Sequence, residues 1–428
     1  MEEEKLREGT RAALVSVTLR GEGEKETRAS LAELERLLDS AGGVAVFSLV
    51  QNKEAPDART YLGSGKVAEL RFYCAAQNIE LVVFDGELSP SQIRNLEDAL
   101  GGIPVIDRSM LILDIFALHA ESGEGKLQVE LAQLQYTAPR LLGKGGVLSR
   151  QGGGIGTRGP GETQLETDKR HLSRRIQSLR RALDEIARDR ATQRQSRDRS
   201  GLCRVAIVGY TNAGKSTLLN TLTDAGILAE DKLFATLDAT TRQCRLPSGK
   251  TVLLTDTVGF IRNLPHHLIH AFHSTLDEVR YADLLLVVLD ASDEEAGAQL
   301  AVTEELLHSL GASEKPVLYV FNKCDRGAAI PAATLGKERV AYISAKTGQG
   351  VEAMLSRIDE MLSESAHTVT YFFPPDAGKE LSRLFAAGSA KDVEYLPNGT
   401  RVRAAVDAQL RGQLQRFEEK NGEKNGER

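Results

Sequence analysis

Cys203-Arg204-Val205-Ala206-Ile207-Val208-Gly209-Tyr210-Thr211-Asn212-Ala213-Gly214-Lys215-Ser216-Thr217 is the stretch that decides the fold. Gly209 to Ser216 match G-x-x-x-x-G-K-[ST], the loop that wraps nucleotide phosphates. A strand-like apolar run, 203–208, leads into it, and a helix-like run, Lys215 to Leu222, leads out. The loop requires that context: a strand to anchor it and a helix N-terminus to face the phosphates. Its glycines let backbone N–H groups converge on an anion with no Cβ in the way. In such a loop Lys215 pairs with the β/γ-phosphates, and Ser216 places its hydroxyl on Mg²⁺. Gly209, Tyr210, Thr211, Asn212, Ala213, Gly214, Lys215 and Ser216 are therefore the candidate phosphate-binding residues.

Three further signatures follow in the order of a GTP-dependent switch. The strand Thr251–Thr255 ends in Asp256-Thr257-Val258-Gly259, where Asp256 holds Mg²⁺ through water and the Gly259 N–H senses a γ-phosphate. The strand Val317–Phe321 ends in Asn322-Lys323-Cys324-Asp325. An aspartate there accepts from guanine N1 and N2, a donor pair that adenine lacks, which selects GTP over ATP. Ser344-Ala345-Lys346 ends another strand and supplies a backbone N–H to guanine O6. Between the phosphate loop and Asp256, the run Leu233-Phe234-Ala235-Thr236-Leu237-Asp238-Ala239-Thr240-Thr241-Arg242 reads as a switch ordered by γ-phosphate and Mg²⁺. Thr236 is the first choice for the second Mg²⁺ hydroxyl, with Thr240 and Thr241 as competitors. Lys215, Thr236 and Gly259 are the expected catalytic set, and Ser216 and Thr236 the expected metal ligands.

Phe260 stands where many GTPases carry a glutamine that orients the attacking water. Phenylalanine cannot hydrogen-bond, so slow turnover is expected without a partner group, a repositioned residue or a monovalent cation. Asn212 is the candidate K⁺ ligand. His266, His267, His270 and His273 have helical spacing that suits a metal, but no carboxylate base accompanies them, so they read as ordinary residues near the switch. Arg242 and Arg262 flank the switch segments as candidate charge stabilisers.

The 428 residues predict two to four domains, at about 100–200 residues each. No apolar run approaches the ~20 residues of a bilayer span, and the acidic start, Met1-Glu2-Glu3-Glu4-Lys5, lacks the apolar core of a secretory signal. Cys74, Cys203, Cys244 and Cys324 form no CxxC, which fits a reducing compartment. A net charge of −6 excludes a wholly basic nucleic-acid coat and leaves room for a local basic face.

Upstream of the phosphate loop, strands at 14–19, 44–50, 81–84 and 103–106 alternate with helices at 30–38, 67–76 and 89–100. That alternation predicts a small α/β domain with a mainly parallel sheet. Tyr61-Leu62-Gly63-Ser64-Gly65-Lys66 reads either as an anion-binding helix start or as a plain tight turn. From Ser109 the pattern turns helical, weakened at Gly123 and Gly125. Leu165, Leu172, Ile176, Leu179, Leu183 and Ile186 then form a coiled-coil seam, which predicts an antiparallel helical hairpin with residues 143–161 as its tip. That tip is glycine-rich and carries Lys144, Arg150 and Arg158. The second helix holds Lys169, Arg170, Arg174, Arg175, Arg180, Arg181, Arg188, Arg190, Arg194, Arg197 and Arg199, an excess that suits phosphate backbones. Its alternative is a solvated coiled-coil face. Residues 366–428 read as an α+β module with a hairpin turn at Pro397-Asn398-Gly399 and a charged tail from Glu418.

Gly-Tyr-Thr-Asn-Ala-Gly-Lys-Ser-Thr (209–217), Leu-Phe-Ala-Thr-Leu-Asp (233–238), Asp-Thr-Val-Gly-Phe (256–260) and the glycine-rich run 152–168 together resemble the HflX-type GTPases. The resemblance covers roughly residues 10–365. It implies a cytoplasmic GTPase, expected as a monomer, that docks on the large (50S) ribosomal subunit and its rRNA and splits or rescues stalled ribosomes. Carried over by motif, 209–216, Phe234, Ala235, Thr236, Leu237, Asp238, Asp256, Thr257, Val258, Gly259, Asn322, Lys323, Cys324, Asp325, Ser344, Ala345 and Lys346 bind GTP or GDP. The expected fold class is α/β: an N-terminal α/β domain (1–108), a helical hairpin (109–199), a P-loop GTPase domain (200–365) and a C-terminal α+β module (366–428).

Overall fold

The computed structural model describes residues 8–21, 23–141, 160–198, 202–223, 233–234, 237, 239–262, 278–327, 339–364, 367–386, 390–406 and 408–419. The chain forms two compact units. One comprises 1–188, 228–238 and 258–276; the other comprises 189–227, 239–257 and 277–428. The first unit is built on β1 (Arg11–Leu19), whose residues 12–18 are all buried, the mark of a central parallel strand covered on both faces. β2 (Val44–Lys53), β3 (Leu81–Phe84) and β4 (Val105–Asp107) join it in the order β2-β1-β3-β4, all parallel. α1 (Glu24–Ser40) lays Leu31, Leu34, Leu37 and Leu38 on the sheet, the stripe that the spacing predicts.

α2 (Ser64–Ala76) and α3 (Pro90–Ala99) bury Val67, Leu70, Cys74, Ile93 and Leu96 in a common cluster with β1 and β3. Ser89 caps α3 by accepting from the Gln92 N–H, with Pro90 in the first turn. Gly63 is the N-cap of α2. Its N–H goes to Gln51 Oε1 at 2.9 Å, and Lys66 pairs with Glu69 at 3.0 Å.

The helical run from Ser109 is two helices, α4 (Arg108–His119) and α5 (Gly123–Leu141). The break falls at Ala120–Ser122, where the Ser122 hydroxyl accepts the Gly125 N–H. α4 is apolar nearly all round and packs on α1, β3 and β4, so it belongs to the α/β layers. α6 (Pro160–Asp198) is tied to α5 by Arg175, whose Nε and Nη2 meet Glu130 at 2.6 and 2.7 Å, as an antiparallel hairpin requires. Leu179 of the seam is buried. Residues 142–159, nearly the whole expected tip, lie outside the described residues.

In the second unit β5 (Cys203–Gly209) leads through the phosphate loop to α7 (Lys215–Thr223). β6 (Thr240–Arg245), β7 (Thr251–Asp256), β8 (Leu284–Asp290), β9 (Val317–Asn322) and β10 (Val340–Tyr342) complete a sheet of order β10-β9-β8-β5-β7-β6. Only β6 runs antiparallel within it. α8 (Ala296–Ser309) and α9 (Val351–Glu364) flank the sheet, and Leu218, Leu219, Met354 and Ile358 close its core. β11 (His367–Phe373), α10 (Gly378–Ala386), β12 (Ala390–Leu396), β13 (Gly399–Val406) and α11 (Ala408–Leu414) form the α+β module, with antiparallel order β11-β13-β12. Glu418 and Glu419, read from sequence as the start of a charged tail, are instead held: Glu418 pairs with Arg411 at 2.8 Å and Glu419 with Arg401 at 3.0 Å. The Glu419 N–H also donates to the Thr370 carbonyl at 2.8 Å. Composition misled there because Arg411, seven residues before Glu418, and Arg401, on β13, supply the partners.

Among the described residues, a charge cluster lies in the interior of the first unit. Arg108, 2% exposed, donates to Asp85 Oδ1 at 2.8 Å, to Ser30 Oγ at 3.3 Å and to Glu33. It thereby joins α1, the end of β3 and α4. Breaking a buried pair leaves uncompensated charge, which costs about 3–5 kcal/mol. Arg108→Ala is therefore expected to lower unfolding free energy by about that amount in urea titration; a loss under about 1 kcal/mol would show that Glu33 and Asp85 find other compensation.

Candidate functional site

The phosphate loop has the shape that its glycines permit. Gly209 has φ of 143° and Gly214 φ of 94°. A Cβ at Gly209 would lie 2.2 Å from the Val288 carbonyl oxygen, and one at Gly214 2.3 Å from Asn322 Nδ2. Asn212 takes a left-handed φ of 60°, which asparagine tolerates better than most residues. Lys215 is buried and donates through Nζ to the Tyr210 carbonyl at 2.8 Å, which arches the side chain back over the loop. Burial pushes its ammonium down to about 8; Asp256 works against that shift and Lys323 with it. Ser216 Oγ donates to Asp256 Oδ2 at 2.7 Å, so the last residue of the motif and the end of β7 meet. Thr257 is fixed by donating to the Ile207 carbonyl at 2.8 Å.

On the other side of the same sheet edge, Asn322 is a brace. Its Nδ2 donates to the Ala213 carbonyl and its Oδ1 accepts from the Ala345 N–H, each at 2.9 Å. The Ser344 N–H goes to Gln349, and Thr221 Oγ1 donates to the Ala345 carbonyl at 2.7 Å. Lys323, at φ 63°, extends Nζ to Asp290 Oδ2 at 2.8 Å. Burial raises the Asp290 carboxyl, but Lys323 and Ser292 outweigh it and hold the group below the usual carboxylate range. Asp290 was missed from sequence; its signal is its position at the end of the apolar strand β8, one strand from the phosphate loop. The Ser344 hydroxyl holds the exposed Asp325 carboxyl below its ordinary value. Burial raises the Cys324 thiol.

The switch segments are described in part. Ala235, Thr236 and Asp238 lie outside the described residues, as do His266, His267, His270 and His273. Leu233, Phe234 and Leu237 are buried in the first unit, and so are Val258, Phe260 and Ile261. Thr240 and Thr241 belong to β6, and Thr241 Oγ1 shares a hydrogen bond with Thr255 Oγ1 at 2.9 Å. That contact makes Thr241 a strand residue rather than a metal-facing loop residue. Arg242 is exposed and donates to its neighbour's carbonyl at 3.0 Å.

A strand-loop-helix phosphate cradle, a carboxylate at the end of the adjacent strand and an Asn-Lys-x-Asp turn on one parallel sheet edge define a P-loop GTPase. Comparison with known proteins agrees along the chain. The family models described as "GTP-binding GTPase N-terminal", "GTP-binding GTPase Middle Region" and "50S ribosome-binding GTPase" match residues 28–117, 119–197 and 204–323. The GTPase HflX of Caldanaerobacter subterraneus subsp. tengcongensis is 47% identical over 415 residues, 97% of this chain and 95% of its own. That of Escherichia coli K12 is 42% identical over 381 residues, 88% of each chain. A GTP-binding protein from Sulfolobus solfataricus, solved with GDP, is 26% identical with a TM-score of 0.44, covering 83% of this chain and 99% of its own. The chain belongs to the HflX family of GTPases, and it hydrolyses GTP. Among the described residues no helix is long and apolar enough to cross a membrane.

The depressed Lys215 sets a pH dependence. Its ammonium is fully present in the free protein well below pH 8 and is lost as pH rises through about 8, so binding a phosphate above that point takes up a proton. GDP affinity is expected to be flat near pH 6.5 and to fall above pH 8 with a slope approaching about tenfold per pH unit. Calorimetry in buffers of different ionisation enthalpy would read the proton uptake; zero uptake at pH 9 contradicts the assignment.

Proposed function

We propose that this GTPase docks on the large (50S) ribosomal subunit, rRNA included, and uses its nucleotide state to control docking and the splitting or rescue of stalled ribosomes or subunit maturation. The observation that carries the reading is the exposed cationic face of α6. Lys169, Arg170, Arg174, Arg180, Arg181 and Arg188 lie along it. Guanidinium groups in a row suit phosphate backbone, and the absence of aromatics in the sequence of α6 favours backbone over base contact. The domain description "50S ribosome-binding GTPase" supports the same partner. The organisation that goes with it is 1–108, 109–199, 200–365 and 366–428, in a cytoplasmic monomer.

In this reading Lys215 pairs with the β/γ-phosphates, and the Gly259 N–H meets the γ-phosphate. The Ser216 hydroxyl, 2.7 Å from the Asp256 carboxylate, and Thr236 would be the hydroxyl ligands of Mg²⁺, with Asp256 holding it through water. When bound there, Mg²⁺ would supply charge neutralisation at the phosphate oxygens. Asp325 accepts from guanine N1 and N2. The Ser344-Ala345-Lys346 segment supplies a backbone N–H to guanine O6. Phe260 is buried and has no polar atom to orient water, so activation comes from a partner group on the ribosome, a repositioned residue or K⁺ held by Asn212.

Two measurements test this. GTP turnover is expected to rise on adding 50S subunits, toward the ~10³–10⁵-fold that partners achieve with GTPases. The rise should need residues 143–161 and be larger in K⁺ than in Na⁺. Equal turnover with and without 50S removes the docking reading, equal affinity for naked RNA favours an RNA chaperone, and equal rates in the two salts release Asn212. Separately, Asp325→Asn is expected to weaken GTP and strengthen xanthosine nucleotides by roughly 10-fold or more; unchanged GTP affinity takes the base contact away from Asp325.

A further inference from the structure

One hydroxyl of the phosphate loop stands apart from its neighbours. Thr211 is 7% exposed, and its Oγ1 is sealed from solvent with no hydrogen-bond partner among the described residues. Buried polar groups are nearly always paired, and one left alone destabilises the free protein. A catalytic contact made only when substrate is present is one physical reason for such a group to persist. The backbone around it is fixed. The Ala213 N–H donates to the Tyr210 carbonyl at 3.3 Å, and Lys215 Nζ donates to the same oxygen at 2.8 Å. Thr211 and Asn212 are therefore the central pair of a tight turn, with Asn212 at its left-handed φ of 60°. Lys215 is the group proposed above for the β/γ-phosphates, and its bond to Tyr210 sets the turn beside that end of the cradle. Lys215 and Ser216 both have partners in the free protein, Tyr210 and Asp256; the Thr211 hydroxyl has none to give up.

We propose that the Thr211 hydroxyl is a catalytic group for GTP cleavage, donating a hydrogen bond to the γ-phosphoryl oxygens. The inference rests on the assignment of GTP to this loop and adds a side chain to a cradle otherwise built from backbone and lysine. In the reaction a water oxygen bonds to the γ-phosphorus. The bond to the β,γ-bridging oxygen breaks with its electron pair going to GDP, and the water's protons leave on inorganic phosphate or pass to solvent. Negative charge is spread over the γ-phosphoryl oxygens on the way, and a donor held there stabilises it. Because no hydrogen bond restrains Oγ1, a change of χ1 rotamer is enough to present it to the phosphate. The hydroxyl loses neither water nor a protein partner in doing so. GDP lacks the γ-phosphoryl group, so the contact acts on cleavage and leaves diphosphate binding alone.

The test uses the full chain with Thr211→Val, which keeps the branched shape and removes the hydroxyl, and Thr211→Ser, which keeps the hydroxyl. Single-turnover GTP cleavage, GDP affinity by fluorescence titration and thermal unfolding without nucleotide are measured on each. Thr211→Val is expected to slow cleavage about tenfold or more, the effect of one hydrogen bond to a charged group. Its GDP affinity should stay within about twofold, and its unfolding midpoint should rise by about 2 °C or more as the unpaired hydroxyl is removed. Thr211→Ser should cleave GTP within about threefold of wild type. A gain in stability joined to a loss of rate is a result that a packing role does not produce. Wild-type cleavage in Thr211→Val overturns the proposal, and so does a GDP affinity that falls in step with the rate. A lowered midpoint in Thr211→Val shows that the hydroxyl serves the fold, and cleavage by Thr211→Ser as slow as by Thr211→Val shows that the hydroxyl is not the active feature; either overturns it too. A wild type that binds no GDP overturns instead the nucleotide assignment beneath it.

Discussion

The side-chain amide of Asn322 joins the phosphate loop, through Ala213, to the 344–346 loop, through Ala345, with both bonds at 2.9 Å and both buried. Neither loop is regular structure, so these backbone groups have few other partners, and an orphaned buried group costs about 1–3 kcal/mol. The amide also constrains the residues around it. Gly214 must lack a Cβ because one would sit 2.3 Å from Nδ2. Gly209 meets the same demand from the β8 backbone. The neighbouring parallel strands β7, β5, β8 and β9 end on one edge in a staggered register, with Asp256 beside Ile207, Gly209 beside Val288 and Asp290 beside Asn322. The chemistry of the site follows from that alignment.

Cations at this edge are held by the protein itself. Lys215 bends to the Tyr210 carbonyl, Lys323 reaches Asp290, and the Ser216 hydroxyl meets Asp256. Groups fixed in this way need little reorganisation when an anion arrives, which is how a site gains electrostatic effect from a modest number of charges. The desolvation that lowers Lys215 accompanies the same burial, and the nearby Asp256 carboxylate offsets part of it.

The first unit works by interior contacts of a different kind. Arg108 knits α1, β3 and α4 through Glu33 and Asp85, and the helices so held offer Ser40 and Phe116 to a segment of distant sequence. A buried ion cluster is weak evidence for net stability, but it specifies how the helices pack.

The phosphate loop, the Asp256 and Asp325 turns and the strand order of the motifs were legible in the sequence because each depends on local chemistry. Glycines mark positive φ, apolar runs mark buried strands, and Ser89-Pro90 marks a helix start. The boundary between α4 and α5 was visible only as a weakness at Gly123 and Gly125, since helix propensity does not reveal which part of a long apolar run a sheet will claim. Asp290, the partner of Glu419 and the Arg108 cluster were not legible, because each depends on residues brought together by the fold rather than by local sequence. By itself the sequence determined a GTP-hydrolysing sheet edge and a basic helical arm. Only the tertiary structure decided that Leu233, Phe234 and Leu237 would be core residues of the first unit. Burial is a property of the packed surface opposite a side chain, and for Phe234 that surface is Phe116, 118 residues earlier in the chain.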